Sequence, residues 1–348
     1  MQSSDGKFKV RLTGRVQARL SVEAPAAGAS DGQHSASASF NIPRARIGMK
    51  GHLFTEKLRY VLEVDFGKGV VSAKKVYVDY TLVDDWLQVR AGHYKKPFSR
   101  QQITSSAQQG LLDRSITNSA FGAGYDIEVM LHNGKKRPLE WAVAFMNGTG
   151  VTPSGGISIN TVGGGILVTT SAARNYPDLF NPMLVGRIAY NHAGIAGYDE
   201  IDRKGGGFRF AIGGGAMLNF GLPEDSAGSV STNIDAIFKA AGFSATAALY
   251  LTPTQSGAAF SSQSLDRVGF HVQAGYLIAG RVYPAFRYAR AEGLSESGDV
   301  SQEVGVAVSV LAYGHHVKWV TDITALAEED LAPEATDFRV RSQIQVSF

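Results

Sequence analysis

The sequence contains no cysteine, which excludes disulfide bonds, thiolate nucleophiles and cysteine-ligated zinc sites. It also lacks any uncharged apolar stretch of about 18 residues, the length that a membrane-crossing helix needs. Basic residues are spread along the chain without a tail or block, and the formal net charge is only +3. The charge distribution therefore does not indicate nucleic-acid binding.

What the sequence has instead is a period of two, with apolar and polar residues alternating over segments of about ten residues. In the first segment, Val10, Leu12 and Val16 fall on one face, and the intervening positions are mostly basic. This pattern is typical of barrel strands with one face in lipid and the other in water. About 16 such segments are predicted, beginning near Lys7, Ala38, Lys57, Ser72, Trp86, Tyr125, Pro138, Pro182, Phe208, Ser229, Phe243, Arg267, Arg281, Ser301, His316 and Asp337.

The connections between these segments support the same interpretation, because short joins alternate with longer ones. Two joins depart from this rule: the one near Gly67 is short where a long loop is expected, and residues 192–207 are long where a turn is expected. Residues 148–173 carry no charge and are expected to form either a small hairpin or a flexible surface loop. Such a hairpin would fold over the mouth or pack on a neighbouring subunit. The sequence thus predicts an all-β protein, a single 16-stranded antiparallel transmembrane β-barrel over residues 1–348.

Several stretches of the N-terminal third resemble, in order and spacing, the family of phosphate-selective porins O and P. They are residues 44–51, 60–67, 75–80, 87–98, 102–106 and 113–115. The terminal Phe348 also resembles the signal that the barrel assembly machinery reads. The resemblance implies a trimeric outer-membrane channel whose third external loop folds inward as a constriction.

In this chain the constriction loop would be residues 99–123, and its charged residues are Arg100, Asp113 and Arg114. Asp113 and Arg114 match an acidic-basic pair of the family. The phosphate-binding member of the family uses a lysine cluster at its constriction, whereas this loop contains no lysine. The solute therefore stays open between phosphate, other inorganic anions, small organic acids and unselective passage below a size limit.

The strand alternation predicts that the lumen carries more basic than acidic side chains, which would favour anions by Coulomb attraction. Barrel closure brings the first strand beside the second and the last, so their arginines would form a cationic wall. The alternative is that these side chains pair with carboxylates on neighbouring strands, Glu63 and Asp65 among them. The predicted pore-lining residues are Arg11, Arg15, Arg44, Arg46, Lys50, Arg90, Lys96, Arg339 and Arg341.

These features predict a porin for passive diffusion of small hydrophilic solutes, favouring anions, with phosphate as one candidate, and with no catalytic residues, no metal site and no cofactor. Expected partners are small anions, the lipid bilayer with lipopolysaccharide, the barrel assembly machinery and two further copies of the chain, but no nucleic acid. A plugged structural or adhesive barrel is the first alternative. An outer-membrane hydrolase is the second, although no Gly-x-Ser-x-Gly elbow lies in a strand-turn-helix context.

The expected location is the outer membrane of a Gram-negative bacterium. The chain begins Met1-Gln2-Ser3-Ser4-Asp5, without the apolar stretch of a secretory signal peptide. Because export of a barrel requires such a signal, we interpret the sequence as a mature form with an added methionine.

Overall fold

A computed structural model describes residues 1–24, 36–69, 71–122, 124–135, 137–148, 157–162, 165–170, 180–220, 228–252, 267–293, 300–328 and 335–348. Within these ranges, no helix is both long and apolar enough to cross a membrane. Most of the described residues lie in β-strands. Their bounds are β1 Phe8–Ala24, β2 Ser37–Leu53, β3 Thr55–Asp65, β4 Ser72–Val83, β5 Leu87–Lys95, β6 Tyr125–His132, β7 Leu139–Met146, β8 Ile157–Val162, β9 Gly165–Thr170, β10 Met183–Asn191, β11 Arg209–Asn219, β12 Ser229–Ala240, β13 Phe243–Thr252, β14 Arg267–Tyr276, β15 Val282–Glu292, β16 Val300–Tyr313, β17 Val317–Glu328 and β18 Ala335–Ser347.

Sixteen of these strands form one closed antiparallel barrel, in which each strand pairs with its neighbours in the order of the chain. The barrel closes where β1 pairs with β18, and Val16 lies opposite both Val346 of β18 and Ala45 of β2. Strands β8 and β9 stand apart as a two-stranded hairpin between β7 and β10. The predicted all-β barrel of 16 strands is therefore confirmed.

Alternation along the strands sorts side chains between the two faces of the wall. On β1, Leu12 and Val16 are about half exposed on the outside, whereas Arg15 and Gln17 are buried on the inside. Exposed apolar residues recur on all barrel strands except β3 and β5, as a lipid-facing surface requires. We call the end of the barrel that carries both termini and the short turns the turn end, and the opposite end the loop end.

Two inward-reaching segments give the barrel its core. The first is loop 3, residues 99–123, of which residue 123 lies outside the described part. It contains two short helices, α1 Arg100–Ile103 and α2 Ile116–Phe121. The second is the connection between β10 and β11, residues 192–208, which we call the inturned segment. It lies at the turn end and is the long join that departed from the alternation of short and long connections.

Candidate permeation pathway

Loop 3 leaves the wall where β5 ends. Lys95 is the last residue of β5, and Pro97 supplies no N–H to continue the ladder. Ser99 then caps α1, since its side-chain oxygen accepts a hydrogen bond from the backbone N–H of Gln102 at 3.3 Å. Phe98 is fully buried inside the barrel. The chain therefore turns toward the lumen at its first residues beyond the strand.

Two wall glycines make room for this loop. A Cβ on Gly215 would lie 2.5 Å from the carbonyl oxygen of Phe98, and one on Gly269 would lie 2.3 Å from the ring of Phe121. Both distances are too short for any side chain, so the close approach of loop 3 requires glycine at these positions. Phe121 stacks on Tyr250 at 5.4 Å, which adds an apolar contact between α2 and β13.

A buried ion network fastens the start of loop 3 to the wall. The Asp235 carboxylate accepts hydrogen bonds from the backbone N–H and the Nε–H of Arg100 at 2.9 and 3.0 Å. It also accepts two from Arg187, each at 2.7 Å. Arg100, Arg187 and Asp235 are all less than a tenth exposed. Arg100 therefore acts as an anchor of the loop and does not offer its charge to a passing solute.

The middle of loop 3 is held by strands on the far side of the barrel. The Lys318 ammonium donates to the carbonyl oxygen of Gln109 at 2.8 Å, and the Ser309 hydroxyl donates to that of Gly110 at 2.9 Å. The backbone N–H of Ile116 donates to Glu303 at 2.8 Å. These contacts, on β16 and β17, show that the loop crosses the barrel interior.

Asp113 forms the centre of a cluster with the arginine wall. Its carboxylate lies 2.8 Å from Arg19, 3.3 Å from Arg44 and 3.2 Å from Arg341. Burial raises the pKa of Asp113, but Arg19 and Arg44, with Arg341, outweigh this effect and hold its pKa well below the usual range. The carboxylate therefore stays charged at neutral pH and offsets part of the positive charge of the wall. Arg114, the next residue, donates to the carbonyl oxygens of Gln101 and Thr104 at 2.8 and 2.7 Å and thereby ties the loop to itself.

Between loop 3 and strands β1–β7 and β10 lies an open cavity of about 820 Å³. Nine basic residues and three acidic residues line this cavity, and the acidic ones are Glu56, Asp79 and Glu140. Loop 3 contributes Ile103, and the inturned segment contributes Tyr198. The nine basic residues are Lys9, Arg11, Lys50, Arg59, Lys75, Arg90, Lys95, Lys135 and Arg187.

The basic residues of this cavity differ in how far they are neutralised. Arg59 and Arg90 share Asp79, and Arg187 belongs to the buried network described above. Among the described residues, no carboxylate forms an ion pair with Lys9, Arg11 or Lys50. These three side chains are exposed on neighbouring strands β1 and β2, where Arg11 lies opposite Lys50. We call them the free basic cluster.

A smaller cavity of about 130 Å³ lies beside loop 3, next to strands β1–β3. It is lined by Arg15, Arg46, Glu63 and Ser105, among others. Arg15 Nη1 donates to the Ser105 hydroxyl at 3.4 Å, and Arg46 pairs with Glu63 at 3.1 Å and with Asp65 at 2.7 Å. At this cavity loop 3 approaches the wall, since Ser105 lies within hydrogen-bond distance of Arg15.

The predicted pore-lining residues therefore occupy several different environments. Arg11, Lys50 and Arg90 line the large cavity, and Arg15 and Arg46 line the small one. The remaining four are held by carboxylates: Arg44 by Asp113, Arg341 by Asp322 and Asp113, Arg339 by Glu23 near the loop end, and Lys96 by Asp126. Lys96 is only 4% exposed, so its charge is enclosed in the wall.

Of the nine basic residues that line the large cavity, the set of predicted site residues contains Arg11, Lys50 and Arg90. It leaves out Lys9, Arg59, Lys75, Lys95, Lys135 and Arg187. The Lys95 ammonium donates to the carbonyl oxygen of Thr104 at 2.9 Å and so touches the inner side of loop 3. Lys95 is the final residue of β5 and Lys135 lies in a turn, so strand alternation cannot place either side chain.

Comparison with known proteins finds one matching family and one related protein. The family model described as phosphate-selective porin O and P matches residues 10–198. An uncharacterized protein of Aquifex aeolicus is 24% identical over 263 residues, a match that covers 71% of this chain and only 61% of that protein. The chain thus aligns with less than two thirds of this relative's length.

Among solved structures, the outer membrane channel DcaP of Acinetobacter baumannii superposes with a TM-score of 0.65 at 15% identity, over 100% of this chain and 99% of that one. OprB of Pseudomonas putida gives a TM-score of 0.64 at 7% identity, covering 97% and 94%. An anion-selective porin from Comamonas acidovorans gives 0.64 at 10% identity, covering 98% and 100%. At these identities the likeness shows a shared barrel fold.

Proposed function

Since this chain belongs to the family of phosphate-selective porins O and P, we propose that it is a passive outer-membrane channel that favours anions. Its cargo would be small hydrophilic solutes, inorganic phosphate among them. The observation that carries the proposal is the cavity beside loop 3, where nine basic residues face three acidic ones. An excess of positive charge in a narrow, low-dielectric passage raises the local concentration of anions and repels cations.

The free basic cluster would contribute most to this preference. Charges that are already paired with a carboxylate present almost no net field to a passing ion, whereas Lys9, Arg11 and Lys50 keep their full charge. Arg15, which has no ion pair among the described residues, would add to the field at the small cavity beside loop 3. Selectivity would thus arise over the turn-end half of the passage and at loop 3.

The family and the barrel fold support a place in the outer membrane of a Gram-negative bacterium, with the turn end facing the periplasm. The outward apolar surface would contact the lipid bilayer and lipopolysaccharide. Assembly as a homotrimer and delivery by the barrel assembly machinery follow from the family resemblance, and both are part of this proposal.

A second candidate is a plugged structural barrel, and one observation favours it. Loop 3 and the inturned segment pack closely against β11–β17 and fill the barrel interior beside these strands. The two functions differ in conductance, because a plugged barrel passes little current. The open cavity on the opposite side, about 820 Å³ in volume, favours the channel.

The test is the zero-current potential of the purified protein in a planar bilayer under a KCl gradient, followed by titration with phosphate. We expect a potential that shows chloride preference, and partial block by phosphate if phosphate binds in the passage. A conducting channel that is unselective or prefers cations would contradict the anion proposal. The absence of any conductance would support the plugged barrel instead.

A further inference from the structure

The inturned segment is fixed to the barrel wall by contacts of its own. Asp202 pairs with Arg209 of β11 at 2.8 Å, and Asp199 accepts from His315 in the turn between β16 and β17 at 2.9 Å. Lys239 of β12 donates to the carbonyl oxygen of Ala196 at 3.0 Å. Because these anchors lie on three different strand ends, the segment is a rigid part of the turn end.

This segment meets loop 3 at Glu200. The backbone N–H of Glu200 donates to the carbonyl oxygen of Gln108 at 3.0 Å, and the backbone N–H of Gly110 donates to the Glu200 carboxylate at 2.8 Å. The same carboxylate oxygen accepts from Gln273 of β14 at 2.9 Å. Glu200 is 5% exposed, so its hydrogen bonds are shielded from water.

Apolar packing continues the contact on both sides of Glu200. Ile201 is fully buried, and it belongs to one cluster with Leu111 of loop 3 and with Tyr283 and Leu311 of the wall. A Cβ on Gly110 would lie 2.8 Å from the Tyr283 ring, so the loop backbone passes against the wall at this point. Loop 3 is thus held between the wall strands and the inturned segment.

We propose that the inturned segment supports loop 3 on the side of the turn end, and that Glu200 is the positioning residue that sets the distance between loop 3 and the free basic cluster. The inference rests on the proposed function, since loop position sets conductance only in an open channel. Glu200 itself does not line the cavity, so it would act on permeation through the loop and without touching the solute.

The expected effect of substitutions follows from the hydrogen bonds. Glu200→Ala would leave the Gly110 N–H without its acceptor in a buried site, whereas Glu200→Gln keeps an acceptor oxygen for it. A buried hydrogen bond to a charged group contributes enough to change a conformational equilibrium about 10- to 100-fold when it is lost. If Glu200 acted only through its negative charge, both variants would have the same effect on the position of loop 3.

The experiment is single-channel recording of the full-length variants Glu200→Ala and Glu200→Gln. Asp84→Asn is the control, because Asp84 is an exposed carboxylate in a turn at the same end, and Lys57 is its one ion-pair partner within the described part of the chain. We expect transitions between conductance levels to become about 10- to 100-fold more frequent in Glu200→Ala. Glu200→Gln should change them by less than about threefold, and Asp84→Asn should leave them unchanged.

Two further measurements keep the inference falsifiable. Hydrogen exchange of loop 3 amides should speed up in Glu200→Ala, and this readout does not require a conducting channel. If Glu200→Ala fails to assemble, Gln273→Ala removes the wall donor instead and should also raise both readouts. Steady currents and unchanged exchange in a folded variant, or equal effects of alanine and glutamine, would overturn the inference. A wild-type protein that shows no conductance would refute the proposed function but leave the exchange test of Glu200 intact.

Discussion

Replacing Lys9, Arg11 and Lys50 together by glutamine is expected to lower the anion-over-cation permeability ratio about tenfold while the barrel still assembles. These residues line the cavity and have no carboxylate partner among the described residues. Their removal therefore takes away net field and breaks no ion pair. The readout is the zero-current potential under a KCl gradient, which should move toward zero.

The magnitude follows from Coulomb's law. A unit charge about 7 Å from a permeating ion contributes ~0.6 kcal/mol in water, and screening at physiological salt reduces this to roughly 0.25 kcal/mol. Three such charges favour an anion and disfavour a cation by the same amount. The ratio of permeabilities should therefore change by ~1.5 kcal/mol, which corresponds to about one order of magnitude.

The matched control is the triple variant Lys57→Gln, Lys204→Gln and Arg281→Gln. It removes the same formal charge from turn-end positions that do not line the cavity. We expect its permeability ratio to stay close to that of the wild type. Equal shifts in both triple variants would mean that overall charge, and not the free basic cluster, sets selectivity.

Asp113→Asn is expected to loosen loop 3 and to destabilise the protein by roughly 1–3 kcal/mol, which is below the range for a fully buried pair because Asp113 is partly exposed. The substitution removes the carboxylate that lies between Arg19, Arg44 and Arg341. Among the described residues, Arg341 keeps an ion pair with Asp322, whereas Arg19 and Arg44 lose their carboxylate partner and are left to repel the neighbouring arginines. Urea unfolding in detergent micelles measures the loss of stability, and open-channel noise measures the release of the loop.

Asp5→Asn provides the comparison for this variant, because Asp5 is an exposed carboxylate whose ion-pair partner is Lys7. Exposed pairs of this kind contribute little to stability, so we expect no change in unfolding or in noise. An Asp113→Asn protein with wild-type stability and steady current would show that the arginine cluster does not hold loop 3.

Much of the fold could be predicted from the sequence because lipid and water impose a strict alternation on each strand. All 16 barrel strands begin within about three residues of the predicted positions, since Gly, Pro and charged residues interrupt the alternation where strands end. The two-residue periodicity of β1 correctly separates Leu12 and Val16 from Arg11 and Arg15. Local pattern suffices wherever the environment of a residue is set by its own strand.

The candidate site was harder to predict because it depends on contacts between residues far apart in the chain. Asp113 meets Arg341 across 228 positions, and strand alternation shows that Arg341 faces inward but not that a loop carboxylate joins Asp322 of β17 in pairing with it. The length of the join at residues 192–207 indicated that this connection is not an ordinary short turn. Nothing in its composition shows, however, that the Glu200 carboxylate accepts a hydrogen bond from Gly110. Tertiary packing thus determines which inward-facing basic side chains have a carboxylate partner and which have none.

Cysteine accessibility tests whether ions cross between loop 3 and strands β1–β7, since the chain has no cysteine of its own. Lys50→Cys places a thiol in the cavity, and Thr324→Cys places one on β17, where the side chain is 2% exposed. We predict that a negatively charged methanethiosulfonate reagent lowers the current through Lys50→Cys channels and leaves Thr324→Cys channels unchanged. Loss of current in Thr324→Cys without any effect in Lys50→Cys would contradict the proposed pathway.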